Sequence, residues 1–276
     1  MAHCNRFFIS QFVRNGDCVA KIEILGVEFY PVTLDGAMQA VDWMLSRNDG
    51  RTRLVVTGNP LMTIAAQKDP EFMSILKSAD LMVPDGVGIL WAAQKLGKKL
   101  PERVDGVSLV YRILEMRPSP RVFLLGGKPG VPEKARSAVE KERPGVRFCG
   151  THHGYFQADE EDKVVEAIAD KKSDIILVGM GSPKQEKFIW RNRARLGAKV
   201  ALGVGGVLDI LSGKTQRAPE SFQKAGLEWL FRLVREPKRL KADLALLEFV
   251  ARVEAQAFRQ RKTKHEGDEE DAAGKF

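Results

Sequence analysis

Apolar residues along this chain gather in short runs, separated by longer stretches of helical period. Leu54-Val55-Val56, Leu81-Met82-Val83, Val122-Phe123-Leu124-Leu125, Ile175-Ile176-Leu177-Val178 and Val200-Ala201-Leu202 read as buried strands. The helical period predicts helices around 34–47, 60–77, 87–97, 105–116, 131–143, 159–171 and 184–196. Strand and helix in repetition predict an α/β protein, a Rossmann-like doubly wound parallel sheet flanked by helices.

Such sheets bind ligands beyond the carboxyl ends of their strands. Those ends read Thr57-Gly58-Asn59-Pro60, Pro84-Asp85-Gly86-Val87-Gly88, Gly126-Gly127-Lys128-Pro129-Gly130, Gly179 to Glu186, and Gly203-Val204-Gly205-Gly206. Five glycine- or proline-marked turns after five strands predict one extended crevice. The pattern changes after about residue 213. From Lys214 to Lys241 there are eight basic residues against three acidic ones, interleaved with Leu227, Trp229, Leu230, Phe231, Leu233 and Val234. The expected organisation is an α/β core over 1–213, a basic amphipathic helical appendage over 214–260, and an acidic, disordered tail over 261–276.

With 276 residues, 44% of them apolar, the chain can bury one large core. A net charge of +8 points to anionic partners (nucleic acid, phosphorylated ligands or an acidic membrane) without choosing among them. Cys4, Cys18 and Cys149 form neither a disulfide framework nor a zinc signature, which suits a reducing cytoplasm. Polar residues interrupt the N-terminal apolar stretch, so no signal peptide is expected. No apolar run approaches the ~20 residues that span a bilayer.

Each candidate site residue has an ordinary reading beside a chemical one. Asp85 is either the cap of the following helix or a carboxylate at the crevice floor, whose desolvation would suit it to act as a base. Arg103 either pairs with Glu102 or Asp105 or clamps a phosphate or sugar oxygen. The turn from Gly179 to Glu186, with Pro183 opening a helix, is an ordinary connection or a diphosphate cradle. Neither G-x-G-x-x-G nor a P-loop occurs, which argues against a nicotinamide dehydrogenase and a P-loop enzyme. The adjacent His152 and His153 cannot easily face one ion, and the carboxylates at 159–162 and 268–271 read as solvated, so no metal is expected. A basic regulatory protein binding nucleotides or nucleic acid is the alternative from charge. It lacks zinc ligands, an RNA-binding aromatic signature and a helix-turn-helix pattern, so no nucleic acid partner is expected.

Taken in order, the turns resemble the WecG/TagA/CpsF glycosyltransferases, glycosyltransferase family 26, over roughly residues 22–245. The resemblance rests on Thr57-x-Asn59, Asp85-Gly86-Val87-Gly88, Glu102 to Gly106, Gly179-x-Gly181-x-Pro183-Lys184-Gln185-Glu186, Gly203-Val204-Gly205, Arg217-Ala218-Pro219, Gly226 to Leu230, and Glu236-Pro237-x-Arg239. It implies an inverting transferase that needs no metal or cofactor. The donor would be a UDP-sugar and the acceptor a polyprenyl-diphosphate-linked sugar of cell-surface polysaccharide assembly. In some relatives the donor sugar is N-acetylmannosamine or its uronic acid; others transfer glucose in capsule or exopolysaccharide assembly. By motif position, Asp85 matches the base, and Thr57, Asn59, Arg103 and Gln185 match the pocket lining, with Gly181 in the donor turn. Tyr155 and Asp209 fall where nucleotide contacts are expected. Arg232 and Arg239 match basic positions that close the site and meet anionic lipid, whereas a further such position is Ala242 here, beside Lys241. The implied location is cytoplasmic, peripheral on the inner face of the membrane. A homo-oligomer is left open. For the appendage itself, a helical hairpin packed on the domain is the plain alternative to membrane contact.

Overall fold

In the computed structural model, backbone is described for residues 20–219, 222 and 240–273, and side chains for these except 240–244 and 263–273. The chain enters through a two-stranded antiparallel hairpin, β1 (Ile22–Ile24) and β2 (Val27–Phe29). Leu25 and Gly26 turn it, both with positive φ, as a two-residue hairpin turn requires. Then follow α1 (Leu34–Leu45), β3 (Arg53–Gly58), α2 (Pro60–Lys68), α3 (Pro70–Lys77), β4 (Leu81–Pro84), α4 (Val87–Lys95), α5 (Gly106–Leu114) and β5 (Arg121–Gly126). The second half comprises α6 (Val131–Glu142), β6 (Arg147–His152), a 3-10 turn over Ala158–Glu160, α7 (Glu161–Asp170), β7 (Ile175–Gly179), α8 (Lys184–Asn192), β8 (Val200–Gly203), α9 (Val207–Leu211) and α10 (Leu240–Ala273).

Six parallel strands form the main sheet in the order β4-β3-β8-β7-β5-β6. Every residue of β3, β4, β7 and β8 is buried. Successive side chains of a strand face opposite ways, so both faces of the sheet are covered, which is why these strands are unbroken apolar runs. The α/β class and the five expected strands are present.

Besides the β1–β2 hairpin and α9, which were not predicted, three elements differ from the sequence reading. The edge strand β6 was not expected: its residues are half-buried or exposed, and Cys149-Gly150-Thr151-His152 carries no apolar run. The expected helix over 60–77 is two helices broken at Asp69-Pro70. Proline at the start of α3 forces extended backbone on Asp69, whose side chain accepts from Phe72 N–H at 3.0 Å to cap it. The third difference concerns the C-terminal boundaries. Helix α10 continues to Ala273, past the boundary drawn at residue 260, through a stretch rich in alanine, glutamate and lysine. Its Phe249, Val253 and Ala257 recur every four residues and are buried against α2 and α4, so this part of the expected appendage belongs to the core. Phe249 lies 6.4 Å from the Trp91 ring; Lys68–Glu248 and Lys95–Glu254 flank the seam, each at 2.7 Å.

Candidate functional site

All six strands run the same way, so their carboxyl ends share one edge of the sheet, where the crevice is expected. Gly58 lies level with Pro84, Val56 with Gly203, and Gly126 with Gly179. Three neighbourhoods result: a charged end around β3 and β4, a glycine-lined middle, and an aromatic end beyond β6.

At the charged end, Asp85 N–H donates to the Gly58 carbonyl at 2.8 Å, and Val104 N–H donates to the Pro84 carbonyl at 2.8 Å. The second bond lays the Arg103–Asp105 loop across the end of β4. The N-cap position of α4 is Gly86, with a φ of 92° and no side-chain cap bond, and Asp85 lies one residue before it. Thr57 is buried beneath the start of α5, where a Cβ on Gly106 would come within 3.3 Å of its Oγ1. Asn59 caps α2 through Oδ1, which accepts from Met62 N–H at 3.0 Å. That use directs its amide N–H groups away from the helix it caps.

Of the two partners considered for Arg103, the structure selects Asp105, at 3.7 Å; Glu102 instead accepts from Leu34 N–H at 2.5 Å. Asp105 is a hub that the sequence reading did not name as a site residue. Its Oδ1 caps α5 by accepting from Ser108 N–H at 2.9 Å, and its Oδ2 accepts from Ser108 Oγ at 2.7 Å. From 112 residues away, Arg217 Nη2 donates to Asp105 Oδ1 at 3.0 Å and to Ser108 Oγ at 3.1 Å. Two mostly buried guanidinium groups thus share the Asp105 carboxylate at a helix N-terminus. This is an environment for anionic oxygen.

In the middle, backbone approaches backbone. A Cβ on Gly126, whose φ is 137°, would collide with the Gly179 carbonyl, and one on Gly203 would lie 2.7 Å from Gln185 Nε2. Gln185, expected to line the pocket, is buried with its hydrogen bonds made inside the protein: Oε1 accepts from Gly205 N–H at 3.0 Å, and Nε2 donates to Glu186 Oε1 at 2.7 Å. Gly181 is exposed with a φ of 78°, and its carbonyl accepts from Gln185 N–H at 2.9 Å at the entry to α8.

Beyond β6, Gly154 N–H donates to the Gly127 carbonyl at 2.9 Å, which brings the 153–157 loop beside the crevice. Tyr155 stands out from it, 64% exposed. Lys184 Nζ reaches the Gly154 carbonyl at 3.4 Å and lies 5.5 Å from the Phe156 ring centre. His152 and His153 pack ring on ring at 4.7 Å, His152 Nδ1 engages the His153 carbonyl at 2.7 Å, and a shallow hollow separates them from α7. Asp209 sits on α9 and pairs with Lys214 at 2.8 Å. Arg232 and Arg239 lie outside the described residues. Among the described residues, no group of three or more His, Cys, Asp or Glu side chains could hold a metal ion. Nor is any helix among them long and apolar enough to cross a membrane.

This geometry is that of a doubly wound α/β protein, a class that binds ligands along the carboxyl edge of its sheet, which here runs between a carboxylate flanked by arginines and a row of glycine turns. The chain belongs to the glycosyl transferase WecG/TagA/CpsF family, whose model matches residues 22–263. It is similar to proteins of Staphylococcus aureus strains MRSA252 and MW2 named N-acetylglucosaminyldiphosphoundecaprenol N-acetyl-beta-D-mannosaminyltransferase. Each is 33% identical over 223 residues, which cover 80% of this chain and 87% of the relative.

Proposed function

We propose that this glycosyltransferase moves a hexose, of N-acetylmannosamine type, from a UDP-sugar to a polyprenyl-diphosphate-linked acceptor sugar, with inversion at the anomeric carbon and without a metal. The observation that carries the mechanism is the placement of Asp85 beside the Arg103–Asp105–Arg217 cluster, bound to it through the Pro84–Val104 backbone bond. The relatives' name supplies the acceptor class, a sugar on undecaprenyl diphosphate.

Inverting transfer is one displacement. The acceptor hydroxyl oxygen attacks the anomeric carbon as its proton passes to a carboxylate, and the bond from that carbon to the diphosphate oxygen breaks with its electron pair leaving on UDP. Asp85 is the carboxylate in this reading, at the mouth of β4 where the chain turns away from the sheet. The departing diphosphate gains negative charge, which Arg103 and Arg217 stabilise from a fixed, mostly buried position. Thr57 and Asn59 contact the sugar, and the glycine turns, with Tyr155 and Asp209, receive the nucleotide. The basic stretch between residues 214 and 241 meets anionic lipid and so brings the site to a membrane-held acceptor.

The test is UDP release from a panel of UDP-sugars with one lipid-diphosphate-sugar acceptor, run with and without EDTA. Turnover with the N-acetylmannosamine donor, unchanged by EDTA, is expected. Asp85→Asn should lower kcat by about 10²–10⁴-fold with the melting temperature kept. Turnover near wild type in the folded variant removes Asp85 from the base role, and activation by Mg²⁺ or Mn²⁺ rules out the metal-free mechanism.

A further inference from the structure

Glu186 lies in the first turn of α8 with no solvent exposure, and the reaction above gives it no task. Its Oε1 accepts the Gln185 amide at 2.7 Å, and the buried carboxyl otherwise has only its own backbone N–H and the Ser182 side chain near it. A carboxyl group held this way is costly, and an apolar side chain of similar size would fill the space without the desolvation penalty. Burial pushes its carboxyl above the ordinary 4.5, with hydrogen bonds from the Gln185 amide, its own backbone N–H and the Ser182 side chain opposing.

The cost falls at a particular place. Gln185 gives its Oε1 to Gly205 N–H at 3.0 Å. Both side chains lie hard against the end of β8, since a Cβ on Gly203 would meet Gln185 Nε2 at 2.7 Å and Glu186 Oε1 at 2.9 Å. On the other side of this turn is open space: a Cβ on Gly205 or Gly206 would meet nothing within 4 Å. Glu186, Gln185 and Gly205 therefore form a chain of hydrogen bonds that starts in the core and ends on the crevice floor.

We propose that Glu186 is a positioning residue for donor binding: it holds the Gln185 amide so that Oε1 faces Gly205 N–H, and so fixes the turn on which the donor rests. A side-chain amide has a donating and an accepting end of nearly equal shape, so packing alone does not orient it; a carboxyl oxygen that accepts selects the donating end. The same acceptor fixes the other end on Gly205. The proposal rests on the donor reading given above only for the identity of the ligand.

Two full-length variants test it. Glu186→Met removes the acceptor and keeps the volume; Glu186→Gln restores an accepting oxygen without the charge. Gly205 amide hydrogen exchange is measured without substrate, together with melting temperature and donor KM and kcat by UDP release. In Glu186→Met, the melting temperature should equal or exceed wild type, Gly205 should exchange about tenfold faster, and donor KM should rise about tenfold with kcat within about twofold. In Glu186→Gln, both exchange and KM should return to within about threefold of wild type. Unchanged Gly205 exchange and KM in Glu186→Met overturn the proposal. So does a loss of activity in both variants that tracks a lower melting temperature, which marks mere packing. A wild-type protein that turns over no UDP-sugar removes the functional reading alone, because Gly205 exchange still decides whether Glu186 holds the turn.

Discussion

Two guanidinium groups and one carboxylate meet at the start of α5, and in the proposed mechanism their balance sets how the site treats anions. Asp105 holds Arg217 at 3.0 Å and Arg103 at 3.7 Å with little exposure, so water screens the group weakly. Asp105→Asn keeps a capping oxygen but removes the shared charge, and Arg217→Ala removes one arm. Each should lower kcat/KM about tenfold, and the double variant should fall short of their product by a coupling on the order of 1 kcal/mol. Strictly multiplicative losses would mean that the two residues act apart. Glu186 makes a separate prediction about stability. Its folded carboxyl titrates above the ordinary 4.5, so as pH rises past that value the unfolded chain gives up this proton first and the native state is penalised. The penalty grows until the raised folded value is passed and is absent below about pH 4. Glu186→Gln should therefore match wild type in melting temperature near pH 4 and exceed it at neutral pH; equal shifts at both would show that burial costs this carboxyl nothing. Thr57, Asn59 and Asp85 stand at strand ends that the apolar runs mark, whereas Arg103 lies in a loop that only the family resemblance singled out. The tie between Arg217 and Asp105 was not legible in the sequence, since it spans 112 positions and leaves no local pattern.

Among the elements, legibility followed burial. The strands buried on both faces announced themselves as continuous aliphatic runs, while β6 lies at an edge, partly exposed, and its Gly150 and Thr151 resemble a loop. The hairpin β1–β2 has only three residues in each strand, too few for an alternating pattern to stand out. For α10 the apolar period was present at Phe249, Val253 and Ala257, but basic residues before it drew the whole stretch into an appendage. Packing decides otherwise. Phe249 is 1% exposed, and Phe249→Ala should destabilise the domain by about 3–5 kcal/mol, read as a lower denaturation midpoint. A loss under about 1 kcal/mol would place α10 outside the cooperative unit.

At the scale of the molecule, a net charge of +8 is concentrated in part between residues 214 and 241, and anionic lipid attracts such stretches by about 1 kcal/mol per charge. Reversing Arg232 and Arg239 to glutamate should weaken binding to anionic liposomes at least tenfold and leave the melting temperature in place; unchanged binding counts against membrane docking through this stretch. Deleting everything after residue 215 would be a poor substitute, because it strips Phe249 and Val253 from the core and unties Arg217. The same contacts bear on how a membrane could be felt by the site. The basic stretch enters at Arg217, which grips the start of α5, and leaves into α10, which is seated on α2 and α4, the helices that begin at Asn59 and just past Asp85. It is thus moored at both ends to the walls of the crevice. Were a lipid surface to engage this stretch as proposed, its pull would reach the site through these two moorings.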